Sequence, residues 1–293
     1  MGRAVLIGLL AACGIVLAPG ALLAEQPEQV GPPLSAAPPK PAPPPAYKPP
    51  VKSPPPHSAA SDEATYARCL ALAKSDPGAA RDMAERWQSR GGAHPADHCY
   101  AVALIGLKQY KEGATRLEAL AQAMVHAPNS LRAEVLDQAS QAWLLAGDPA
   151  RAYAADTSAL GLLPDDPDIL IDRAEAAGSE GWYDKVLADL DRVLKGDPSR
   201  LDALVYRATA YRQLGKLDEG LADINHAIEL SPDSVAALLE RGDILRLKGD
   251  NDGARRDWVR VSELVPGSDA DAEAKTNIER LELKQDVGGP TKK

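Results

Sequence analysis

The chain has 293 residues, a formal net charge of −9, only 4% aromatic residues and no Phe. That length holds one or two ordinary domains. No strongly basic stripe runs along it, which argues against a nucleic-acid role, while the Ala, Leu, Asp, Glu, Arg and Lys that dominate its second half favour closely packed helices.

At the start, Arg3 is followed by an apolar run from Ala4 to Ala24 that contains Pro19, and the polar residues begin at Glu25. This is the anatomy of a secretory signal peptide over residues 1–24. Two other readings stay open: lipidation at Cys13, in Leu10-Ala11-Ala12-Cys13, and an uncleaved membrane anchor. Residues 25–60 carry fourteen of the 25 prolines. They read as a disordered linker in extended polyproline II, rising about 3 Å per residue, with Lys40, Lys48 and Lys52 as its charges after Glu28.

Beyond residue 60 the sequence repeats itself. Pro164, Pro198, Pro232 and Pro266 are each 34 residues apart, and Pro95 and Pro128 extend the series upstream at spacings of 33 and 36. Arg173, Arg207 and Arg241 keep the same period, as do Asp189, Asp223 and Asp257, and Gly181, Gly215 and Gly249. Each unit reads as two helices. After Pro198, Leu201, Leu204, Ala208 and Tyr211 fall on one face, and Gly215 breaks that helix. A second stripe of Leu217, Leu221, Ile224, Ala227 and Ile228 follows, until Ser231-Pro232 ends it. Neither helix can bury its stripe alone, whereas stacked neighbours can.

These residues resemble the tetratricopeptide repeat family. The motif positions are filled by Leu170, Ala174, Ala177, Val186, Leu190 and Pro198, then by Leu204, Ala208, Tyr211, Gly220, Ile224 and Pro232. In the last unit they are Leu238, Gly242, Leu245, Ala254, Trp258 and Pro266. The resemblance implies an all-α, right-handed α-solenoid of about five to six helix pairs. Units are expected near 61–94, 95–127, 128–163, 164–197, 198–231 and 232–265, with a capping helix over 266–285 and a disordered tail over 286–293. It also implies a non-catalytic scaffold or adaptor for protein partners, and the signal-peptide reading puts that scaffold in the bacterial periplasm or cell envelope. The alternative is a metal-dependent or enzymatic accessory of wall or outer-membrane machinery.

The repeated Arg in place of an apolar residue departs from the family pattern. Arg173, Arg207 and Arg241 are expected to pair with Asp189, Asp223 and Asp257 as half-buried ion pairs that fix helix register. The resemblance places the partner groove on the first helices, lined by Asp168, Asp172, Glu175, Asp202, Tyr206, Thr209, Arg212, Gln213, Leu239, Glu240, Asp243 and Arg246. That set is acidic with apolar points, which favours a basic and partly apolar protein segment. No nucleic acid is expected, and a membrane is involved only through an uncleaved signal or a lipid anchor.

No catalytic constellation, phosphate loop or cofactor motif stands out. His94 and His98 lie four apart beside Cys99, but Pro95 suggests a helix start with His94 in the preceding loop, so no metal site is expected. Cys69 and Cys99 are either a disulfide, two buried thiols or, least favoured, a reactive thiol; a disulfide would staple the first two units together. Asp165, Asp166, Asp168, Asp269 and Asp271 read as helix-capping groups rather than calcium ligands.

Overall fold

The computed structural model describes residues 59–287, and every regular element among them is an α-helix. The signal-peptide reading, most of the linker and the tail beyond Val287 lie outside the described residues. Six helix pairs follow in order: α1 (Ala59–Ser75) with α2 (Pro77–Gln88), α3 (Ala93–Gly106) with α4 (Tyr110–Ala123), and α5 (Asn129–Leu145) with α6 (Pro149–Leu162). Then come α7 (Pro167–Ser179) with α8 (Tyr183–Gly196), α9 (Leu201–Gln213) with α10 (Leu217–Leu230), and α11 (Val235–Lys248) with α12 (Asn251–Leu264). A single helix, α13 (Asp269–Val287), closes the series.

Local chemistry sets these boundaries. Asp76, Asp148 and Asp166 are N-caps whose carboxylates accept from backbone N–H groups two or three residues on, and each is followed by a Pro at the first helical position. The Pro has no N–H to leave unsatisfied there, and the Asp satisfies one that would be. Ser268 and Asp271 start α13 in the same spirit: Asp271 N–H donates to the Ser268 hydroxyl, and Gly267 N–H donates back to the Asp271 carboxylate at 2.7 Å. Between the two helices of each of the last four pairs the chain reverses through a left-handed glycine, with φ of +71° at Gly147, +72° at Gly181 and Gly215, and +87° at Gly249. An L side chain resists that conformation. Gly215→Ala is therefore expected to lower stability by about 1 kcal/mol, measured as a shift in the urea midpoint at unchanged slope.

The buried stripes meet in a core that runs from pair to pair. Leu170, Ala174, Val186 and Leu190, then Leu204, Ala208 and Ile224, belong to one cluster reaching from Ala101 to Ile244. Leu238, Ala254, Trp258 and Val261 join Ala274 and Leu281 of α13 in a second cluster, so the last helix covers an apolar surface that would otherwise face water. Close approach depends on small residues. A Cβ at Gly242 would overlap the Trp258 indole, which is wholly buried against α11.

First helices of successive pairs also touch one another, α5 with α7, α7 with α9 and α9 with α11, whereas second helices of successive pairs make at most marginal contact. The array of pairs therefore curves with its first helices on the inner side.

Candidate functional site

Between the first and second helix of each of the last three pairs lies the same ion pair. Arg173 donates from Nε and Nη2 to the two oxygens of Asp189 at 2.8 and 2.6 Å. Arg207 does so to Asp223 at 2.7 and 2.8 Å, and Arg241 to Asp257 at 2.7 Å twice. The Asp members are nearly buried, so each fork satisfies two acceptors that have left water.

The third arm of each arginine is a feature the sequence reading missed. Nη1 reaches back to the second helix of the preceding pair: Arg173 to Thr157 at 3.3 Å, Arg207 to Asp191 at 2.7 Å, and Arg241 to Asn225 at 3.3 Å. Those three acceptors are themselves 34 residues apart, and that shared period was the available signal. Each arginine thus joins three helices. The series ends at α13, where Lys275 occupies the arginine's place in the period but pairs with Asp271 of its own helix at 2.8 Å.

The inner face carries the residues assigned to the groove, and the structure sorts them. Glu240 is buried and both its oxygens are taken by Arg212, at 2.6 and 3.0 Å, so these two hold α9 to α11 rather than waiting for a partner. Arg200 similarly engages Asp168 and Asp202, both at 2.7 Å. Thr209 donates to the Val205 carbonyl within its own helix. Gln213 is exposed at the end of α9, while Leu239, Asp243 and Arg246 are half-buried on α11.

Asp172 and Glu175 differ from the rest. Both are half-buried on α7, and among the described residues neither has a cation at ion-pair distance. Asp172 accepts from the Gln141 amide at 3.1 Å, and Glu175 accepts from the Tyr206 hydroxyl at 3.4 Å. Burial pushes the Glu175 carboxyl above its ordinary range, and the charge of Asp172 adds to the rise. Burial also raises the Tyr206 hydroxyl, with Glu175 adding to it, so Tyr206 remains a hydrogen-bond donor.

Two expectations at the N-terminal end need correction or resolution. His94 is not in a loop: α3 begins at Ala93, which takes a positive φ of 45°, and His94 lies in the first turn. His98 is spent on its neighbours, with Nδ1 2.8 Å from the Tyr66 hydroxyl and Nε2 2.7 Å from the Gln138 side-chain oxygen. Burial lowers its pKa, which favours the neutral ring. Cys69 of α1 and Cys99 of α3 form a disulfide with their Cα atoms 6.1 Å apart, and both residues are fully buried. It ties the first pair to the second.

The comparisons agree with this geometry. The family model of the tetratricopeptide repeat matches residues 171–234 and 207–269. A tetratricopeptide repeat protein from Parabacteroides merdae superposes with a TM-score of 0.65 at 16% identity, covering 78% of this chain and 88% of that one. TTC0263, a thermophilic TPR protein in Thermus thermophilus, gives a TM-score of 0.50 at 18% identity, covering 65% of this chain and all of the other. No curated protein matches. The 34-residue period, the stacked helix pairs and the family match agree at the best-formed repeats, and residues 171–269 are tetratricopeptide repeats.

Proposed function

We propose that this chain is a non-catalytic scaffold that docks a basic, partly apolar protein segment on the inner face of its helix pairs, and that it does so in the bacterial cell envelope. The observation that carries the docking reading is the pair Asp172 and Glu175. Other acidic residues assigned to this face are answered internally, by Arg200 for Asp168 and Asp202 and by Arg212 for Glu240. Asp172 and Glu175 hold negative charge at its middle with only neutral donors beside them. A cationic side chain seated there would gain two half-desolvated partners at once, and half-buried Val205 on the neighbouring α9 offers apolar surface. The envelope location is supported by the Cys69–Cys99 disulfide, a bond favoured in oxidising compartments, and by the apolar run after Arg3.

The test is titration of the full chain against an array of lysine- and arginine-containing amphipathic peptides, read by fluorescence anisotropy. Replacing Asp172, Glu175 and Asp243 with lysine is expected to weaken the best binder by at least about tenfold, or about 1.4 kcal/mol. Unchanged affinity removes these residues from the site. Binding is also expected to weaken on acidification, because Glu175 takes up its proton at a higher pH than an ordinary glutamate does.

A further inference from the structure

The arginine series breaks at the third helix pair. In the last three pairs a residue on the first helix bonds an Asp sixteen positions later. The same spacing joins α5 to α6, but there the first residue is Ser140, which donates to Asp156 at 2.6 Å. Asp156 is as buried as any carboxylate among the described residues, with no exposed surface, and its Oδ1 has no hydrogen-bond partner among them. A serine fills the arginine's place and supplies one hydrogen bond where the guanidinium supplies two and a charge.

The surroundings do not make up the difference. α6 packs on α5 and α7. From α5, Asp137 is also fully buried and adds its own negative charge; from α7, Asp172 adds another, and Arg173 is the opposing cation. Arg173, however, has its fork on Asp189 and its third arm on Thr157. A buried carboxylate that is bonded on one oxygen only and faces two acidic neighbours is costly, and the protonated acid is the cheaper form.

We propose that the third helix pair is an acid-strengthened joint, in which Asp156 holds a proton in the folded array and the α5–α6 packing loosens when that proton leaves. The direction follows from linkage. The folded chain keeps this proton to a higher pH than the unfolded chain does, because burial raises the acid well above its ordinary range. The joint is therefore tightest below the ordinary carboxylate range, and its stability falls as pH rises toward the folded-state value. The pairs on its C-terminal side, which have arginine in this place, lack the effect. Because Gln141 links Asp137 to Asp172 through its amide, loosening would reach the inner face directly.

The experiment compares the full wild-type chain with Asp156→Asn, which keeps the acceptor for Ser140 and removes the ionisation. Hydrogen exchange of the α5 and α6 amides, corrected for intrinsic rates, is followed from pH 5 to pH 8.5. Wild-type protection in α6 is expected to fall at least about tenfold across that range relative to α8 and α10, and the variant is expected to hold its protection. Equal pH dependence in the two proteins overturns the proposal. Should the variant fold poorly, the wild-type chain still decides the matter. Infrared difference spectra of aspartate-labelled protein must show a protonated carboxyl persisting above pH 6, and its absence overturns the proposal as well.

Discussion

Trp258→Ala is expected to destabilise the chain by about 3–5 kcal/mol, the range for removing a fully buried large aromatic. Trp258 has no exposed surface and sits in the cluster that joins α11, α12 and α13. Gly242 sets its depth, since a methyl group at that position would occupy the indole's space. The surroundings cannot collapse into the gap easily, because the residue facing the indole is Gly242, on a helix already in contact with α12. The loss should be local. Hydrogen exchange is expected to show α11 to α13 opening early, while α5 to α8 keep most of their protection, because contact in a repeat array runs only between neighbours. Gly242→Ala should act in the same direction by pushing the indole outward. Denaturant melts that show either variant within about 0.5 kcal/mol of wild type would contradict the packing described.

The second large effect concerns the repeated arginine. Arg207→Met is expected to cost about 2–4 kcal/mol, because it leaves Asp223 half-buried with its two strong donors gone and also releases Asp191. The lower end allows for the residual exposure of both side chains, 19% and 13%, which lets solvent screen part of the loss. The double variant Arg207→Met with Asp223→Leu is expected to recover most of that stability, since two apolar groups of similar size remove the buried charge along with its partner. A double-mutant cycle in urea measures the coupling. Additive losses in the two single variants would mean that the pair contributes nothing specific.

Much of the fold was legible in the sequence, and the reason is physical. Proline and glycine act on the backbone locally, so Pro198, Gly215 and Pro232 mark helix ends wherever the rest of the chain goes. The partners of Arg173, Arg207 and Arg241 were legible too, since a helix pair fixes which residues sixteen apart face each other. The third arm to Thr157, Asp191 and Asn225 was harder, because it depends on how one pair stacks on the next. For the same reason the sequence placed Arg212 and Glu240 on the inner face without showing that they consume each other, 28 residues apart. The break at Ser140 was concealed by the extra residues between Pro128 and Pro164, which disturb the count just where α5 runs to 17 residues.

The backward reach of the arginines has a bearing on how the chain assembles as it is made. Asp191 on α8 waits for Arg207 on α9, and Asn225 on α10 waits for Arg241 on α11. A growing polypeptide therefore cannot finish bonding one hairpin of helices until the next has left the ribosome. Each newcomer latches its predecessor, so order should spread from the first hairpin toward the last. α13, with Glu282 2.9 Å from Arg255 of α12, arrives as the final clasp.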